Sequence, residues 1–337
     1  MRKRTRYSLF IALALVAALI TAILLRKHAP PEVARLLPES DAIVYVNLRD
    51  VRLATHFDRS PISHSPDFQH FIDATGIDPE RDLDAAAFAL HRMDNPNGPN
   101  GPVAYSEVFE GRFDGTRLAS YLSSIAAAHE DYAGHTIYTV PIEGRQLRIA
   151  QLGYDTLAAS NMPTEEQIHA MLDRYRAAAS PFSGSSLLEA RYKDVPLLST
   201  AWGIGHIGLP FSEGGRIRVF GVDLPLPEDT TFVASLRWVG SIRLRIEQIA
   251  PTEADAAAST AALNSIIGVA QTIQPLVAAQ SSPTDAKALA DFSSSIKVEQ
   301  HKDRAVLTAS VPVDLLKSFT AGATPLPAAT QTAQPSR

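Results

Sequence analysis

The chain has 337 residues, 45% of them hydrophobic and 20% charged, with a formal charge of −5 and no cysteine. This is enough apolar material for a large buried core, and the missing thiols exclude a disulfide framework, a thiolate zinc site, an iron–sulfur cluster, a cysteine nucleophile and a lipidated N-terminal cysteine. Six of the 31 basic residues and no acid fall in the first 27 positions, which leaves the rest with 25 basic and 36 acidic side chains, a net −11 that disfavours nucleic acid as a partner.

Residues 7–25 carry no charge, and Tyr7, Ser8 and Thr21 are their only polar members. As a helix they span about 28 Å, the thickness of the hydrocarbon core. Arg2, Lys3, Arg4 and Arg6 precede the run and Arg26-Lys27-His28-Ala29-Pro30-Pro31 follows it. The basic leader (1–6) is expected to stay in the cytoplasm, with 7–25 anchored in the lipid bilayer of the inner membrane and the body periplasmic or extracellular. The length of the run and the lack of an A-x-A site favour an uncleaved anchor over a cleaved signal peptide.

Glu32 begins a short helical lead, and 43–48 is β-branched and aromatic, a first strand. Ser65-Pro66-Asp67 starts a helix that Gly76 ends. Strands at 85–91 and 103–110 flank Asn95-Pro96-Asn97-Gly98-Pro99-Asn100-Gly101-Pro102, a hairpin tip. A helix is expected over 116–128, with Leu118, Tyr121, Leu122 and Ile125 on one face, followed by strands at 135–140, 146–151 and 156–160. Thr164-Glu165-Glu166-Gln167 resembles a capping box opening a helix to 178, and the Ser/Pro/Gly run at 180–186 breaks the chain.

The second half reads as a short helix at 187–192 and strands at 197–207, 216–222, 231–239 and 242–249. Helices follow over 252–279 and 284–292, then a hairpin of 296–299 and 305–311, and a helix over 312–319. The whole predicts an α+β fold of largely antiparallel sheets with packed helices, in a first module (33–180) and a second (185–320). Residues 321–337 have the composition of a disordered tail.

No candidate site stands out. Gly203-Ile204-Gly205-His206-Ile207-Gly208 fits a dinucleotide-binding pattern, but Leu209-Pro210 follows where a helix must start, so a strand and loop are expected. His56, Asp58, His64, Asp67, His70 and Asp73 crowd into 18 residues without a rigid ligand spacing. Ser183 and Ser185 read as helix caps, and Glu165-Glu166 and Asp82 with Asp84 as helix-start and turn residues, rather than as nucleophiles or acid–base pairs. The stripe at 263, 266, 267, 270, 273 and 277 favours packing over a second membrane span. Trp202 and Trp238 are expected in the core. No catalytic, cofactor-binding or metal-ligating residue is assigned.

Leu37-Pro38-x-x-Asp41-Ala42-x-Val44-Tyr45-Val46-x-Leu48-Arg49, with Gly76-Ile77-Asp78-Pro79-Glu80-Arg81-Asp82-Leu83-Asp84 and Gly111-Arg112-Phe113-Asp114, resembles uncharacterised exported, membrane-anchored bacterial proteins over about residues 33–320. The resemblance implies location and architecture and transfers no functional residue. The expected function is a membrane-anchored extracytoplasmic binding or scaffold protein without catalysis, whose partner is an envelope protein or polymer. An envelope hydrolase with dispersed site residues, or an accessory subunit of a transport or secretion complex, is the alternative.

Overall fold

The structure, a computed structural model, describes residues 29–59, 64–98, 101–142, 144–177, 184–206, 216–219, 222–225, 230–238, 241–278 and 283–312. The expected anchor at 7–25, the helix expected beyond 312 and the tail at 321–337 lie outside the described residues.

Helix α1 (Glu32–Leu36) leads into β1 (Ala42–Asn47). Asn47 ends that strand and caps α2 (Leu48–Thr55), its Oδ1 accepting from the Asp50 amide at 3.0 Å. A 3-10 turn (Phe57–Arg59) precedes α3 (Pro66–Thr75). Here Ser65 caps, Pro66 takes the first helical position, and Gly76 stops the helix at φ 75°. Then come α4 (Pro79–Asp82), β2 (Leu83–Arg92), β3 (Val103–Gly111), α5 (Gly115–Ile125), β4 (Ala128–Tyr132), β5 (His135–Ile142), β6 (Arg145–Gln151), β7 (Thr156–Ser160) and α6 (Glu166–Arg176). The second half supplies α7 (Ser186–Arg191), β8 (Ala201–His206), β9 (Arg216–Val219), β10 (Val222–Pro225), β11 (Thr231–Trp238), β12 (Ile242–Ile249), α8 (Glu253–Ala278), α9 (Pro283–Ser295), β13 (Lys297–His301) and β14 (Arg304–Val311).

Twelve of these strands form one antiparallel sheet in the order β13-β14-β12-β11-β8-β1-β2-β3-β7-β6-β5-β4, and β9 and β10 pair separately. The expected α+β architecture with antiparallel sheets is present. The two halves meet in the sheet where β1 pairs with β8, Tyr45 opposite Trp202.

Residues directly opposite in antiparallel strands share a face, and faces alternate along each strand. The front face carries Ile43, Tyr45, Ala87, Val108, Ala158, Trp202, Ile204 and Val233, all buried beneath Val33 and Leu36 of α1, Ile168, Met171 and Leu172 of α6, and Leu188 of α7. The small alanines of β2 and β7 let those helices sit close. Among the described residues, the back face is covered only at its flanks. On one side Leu118 and Leu122 of α5 pack with Phe71 of α3 over Tyr138, Ile149 and Leu157. On the other, α8 lies against β12 to β14, with Gln248 donating to Ser259 (2.8 Å) and Gln300 to the Glu253 carbonyl (3.0 Å).

Several expectations change. The strand expected at 197–207 begins only at Ala201, because the chain turns after Pro196 with Leu198 at φ 61°. The helix expected to 128 ends at Ile125 and gives way to β4, a polar edge strand with one partner. In place of one strand over 216–222 there are two hairpin arms. Helix α2, absent from the sequence reading, is only two turns long, with Leu48, Val51 and Thr55 half-buried along one side and no residue fully buried. Among the described residues no helix is long and apolar enough to cross a membrane, α8 included.

Candidate ligand-binding site

An antiparallel sheet with one face on the core commonly presents polar side chains to water on the other. Here Val44 on β1, Tyr105 on β3, and Leu236 and Trp238 on β11 are each 37% exposed. Strand register puts all four on the back face. Between them the surface is low, because Ala42, Gly203, Gly205 and Ala201 supply little or no side chain. At Gly205 no side chain fits, since a Cβ there would meet that of Ala42 at 2.3 Å. On one side the wall rises through Phe88 and Phe109, which meet edge to face at 5.8 Å. On the other it rises through Leu236 and Trp238. The result is an apolar strip between the α3/α5 flank and the α8/α9 flank.

Among the described residues, one charged group shares this strip. Glu107 of β3 lies opposite Phe88 on one side and Ala159 on the other. Tyr105 and Phe109, its same-face neighbours along the strand, complete an apolar surround. Burial pushes its carboxyl above the usual range.

A polar cleft of about 440 Å³ lies at the end of β2, lined by Arg52, Asp58, Arg81, Asp84 and Arg112. Its geometry starts from a bulge between Leu83 and Ala85 that re-aims Asp84 out of the ladder. Asp84 takes Arg49 and Arg52 at 2.7 Å each, and the Arg49 hydrogen bond, outweighing burial, holds its carboxyl below the usual range. Arg52 also donates to the Glu80 (3.0 Å) and Leu83 (2.9 Å) carbonyls. Arg112 donates to the Arg81 carbonyl (2.6 Å) and to Asp82 (3.0 Å), and Arg81 to Asp78 (2.6 Å). The cations are thus spent on bracing α2 and α4 against β2. Asp84→Asn is expected to lose about 1–3 kcal/mol at pH 7. Because the folded pKa is depressed, this stability exists above the unfolded carboxyl pKa and disappears as pH falls through the folded one. Urea midpoints for the two proteins should therefore draw together as pH falls below the ordinary carboxylate range, and a gap that stays constant throughout acidification would contradict the assignment.

The residues weighed from sequence do not converge. Gly203 and Gly205 sit inside β8, and residues 207–215, Gly208 among them, lie outside the described residues. His56 closes α2 in the left-handed region, its amide bonded to the Arg52 carbonyl. Asp58 sits in the 3-10 turn, His64 is 3.7 Å from Glu80, His70 packs near Tyr121, and Asp73 accepts from Gln69. Asp67 belongs to the first turn of α3 and Ser185 caps α7, while Ser183 lies outside the described residues. Asp82 and Asp84 bind different arginines rather than forming an acid–base pair. Trp202 is buried, whereas Trp238 lies on the exposed strip and not in the core.

Two further groups have the right atoms for chemistry. His91 Nε2 lies 2.9 Å from Ser106 Oγ, which is 3.0 Å from Ser160 Oγ. With Ser106 0% and His91 6% exposed, no substrate carbonyl can reach that hydroxyl. Burial also pushes the imidazole pKa down, against a smaller opposing pull from Asp41. Among the described residues, Glu130, Glu165 and His169 bring ligand atoms within 4.8 Å of one another, a set compact enough for a divalent ion. In place they satisfy each other and their neighbours. His169 meets Glu130 at 2.7 Å and stacks on Tyr132, and Glu165 lies 3.7 Å from the buried Arg148. The i, i+4 spacing of Glu165 and His169 was visible in sequence, but Glu130 arrives on the unrecognised strand β4.

No protein-family model matches the chain, and no curated protein matches it. Among solved structures, crystal form III of TP0453 is similar at a TM-score of 0.46 and 12% identity, over 87% of this chain and 98% of that one. Form IV gives 0.39 and 10%, over 86% and 96%, and form I gives 0.42 and 10%, over the same shares. Likeness at this level carries no functional argument.

Proposed function

We propose that the chain is a membrane-anchored, extracytoplasmic binding protein without catalytic activity, and that its ligand seat is the apolar strip on the back of the sheet. One observation carries the reading: four large apolar side chains on the middle strands stand 37% exposed on the same face. Leaving them bare forgoes about 25 cal/mol for each Å² that could be covered, which favours a partner that covers them. The anchor at 7–25 and its basic leader support a tethered, outward-facing body, as does the resemblance to exported proteins.

The test uses the full-length protein in lipid nanodiscs and a diazirine-bearing fatty alcohol, with labelled peptides mapped by mass spectrometry. Labelling should concentrate on the peptides holding Val44, Tyr105, Leu236 and Trp238. A Val44→Asp/Leu236→Asp double variant should lose it while changing stability by only about 1 kcal/mol, as partly exposed positions usually do. Labelling confined to 7–25, or spread in proportion to exposed area, counts against the proposal.

A further inference from the structure

Resting on that reading, we propose that the strip is a seat for a long-chain aliphatic amine, with its protonated head on Glu107 and its chain lying across the back of β2, β1 and β8 toward Trp238. Two kinds of observation lead there, one of shape and one of charge.

The first is the strip itself. From β3 to β11 it crosses four inter-strand steps, about 19 Å at the usual strand spacing. It is bounded at both flanks by helices and carries aromatic walls above an alanine and glycine floor. Such a surface takes an extended apolar chain rather than a compact polar molecule.

The second is the isolation of Glu107. Two other carboxylates of the sheet that leave water are matched by arginines within the chain, whereas Glu110, also without a hydrogen bond or ion pair among the described residues, lies on the opposite face from the strip. Asp84 holds Arg49 and Arg52, and Glu247 holds Arg245 at 2.7 Å and Arg304 at 2.9 Å. Glu107 has apolar groups opposite it on both neighbouring strands and no hydrogen bond or ion pair among the described residues. A half-buried carboxylate in apolar surroundings without a partner is destabilising. A cation delivered by the ligand removes that cost, and an anionic or purely apolar head does not. The net negative charge of the body adds a general attraction for cations, which the test must separate from the local one.

Full-length protein in nanodiscs is photolabelled with hexadecylamine, hexadecanol and hexadecanoate, each bearing the same mid-chain diazirine. Labelling of the strip peptides is compared in the wild type and in Glu107→Gln and Glu107→Asp. The amine should label the strip at about tenfold lower concentration than the alcohol, and the acid should be weakest. Glu107→Gln should erase the preference, so that amine and alcohol label alike, and Glu107→Asp should restore part of it. An amine preference that survives Glu107→Gln assigns the attraction to overall charge and overturns the proposal. Equal labelling by all three probes overturns the amine seat but leaves the binding strip in place. Absence of strip labelling by every probe removes the underlying reading as well.

Discussion

Trp202→Ala should unfold the protein at markedly lower urea, a loss of about 3–5 kcal/mol. Trp202 occupies the centre of the front face at the seam between the halves, and is 3% exposed. Its ring stacks on Tyr45 at 5.5 Å and meets Tyr192 edge-on at 5.4 Å. Truncation removes both aromatic contacts and opens a cavity between β8 and the helices above it. Helices α1 and α7 are each seated on neighbouring strands and cannot collapse into the space without leaving the rest of the core. Tyr45 would then border a void, with a hydroxyl whose pKa burial, and to a lesser degree Glu110, pushes up to about 12. Trp202→Phe keeps one ring and should lose less than half as much. Far-UV circular dichroism is the right observable, because the substitution also removes one of the two tryptophans. A midpoint shift worth less than about 1 kcal/mol would mean that the seam is not packed as described.

Arg148→Met is the second large effect, at about 3 kcal/mol. Arg148 stands on the front face of β6, 5% exposed, where an unpaired charge is not tolerated. Its guanidinium donates to the Met162 carbonyl (2.9 Å), to Gln146 (3.3 Å) and to the Pro163 carbonyl (3.4 Å), with Glu165 at 3.7 Å. It therefore fixes the loop that turns from β7 into α6, the helix that contributes Ile168, Met171 and Leu172 to the core. Methionine keeps the length of the stem but leaves those carbonyls without a donor. Lysine keeps the charge but cannot supply the planar fork, and should fall between. Hydrogen exchange should show the loss first in the amides of α6. Wild-type protection across residues 166–176 in the variant would refute this role for Arg148.

Much of the fold is legible where local chemistry and tertiary context agree. The Asn/Pro/Gly run at 95–102 joins β2 to β3, and Ser65-Pro66 and Gly76 bracket α3 as their capping chemistry requires. Elements escape where context overrides the pattern. Strand β4 is Ala-His-Glu-Asp-Tyr, an edge with one partner and little apolar surface, so nothing in it alternates. Leu197 and Leu198 look like strand residues but are exposed in a turn. The candidate site is half-legible. Tyr105, Glu107 and Phe109 alternate with Ala104, Ser106 and Val108, so the sequence places Glu107 on an aromatic face. Which face the helices cover is decided by the packing of α1, α6 and α7 from distant parts of the chain, and no local pattern encodes that choice.

The position of β1 between β2 and β8 also bears on how the molecule is made. During synthesis β1 can find β2 early, but its other edge has no partner until residues 201–206 have been produced. Until then an apolar strand destined for the interior stands as an open template for pairing with another chain. Contacts this distant in sequence slow the search for the native state. Any shortened chain that stops before β8 keeps that edge permanently unsatisfied, and its fate is association rather than a smaller folded unit.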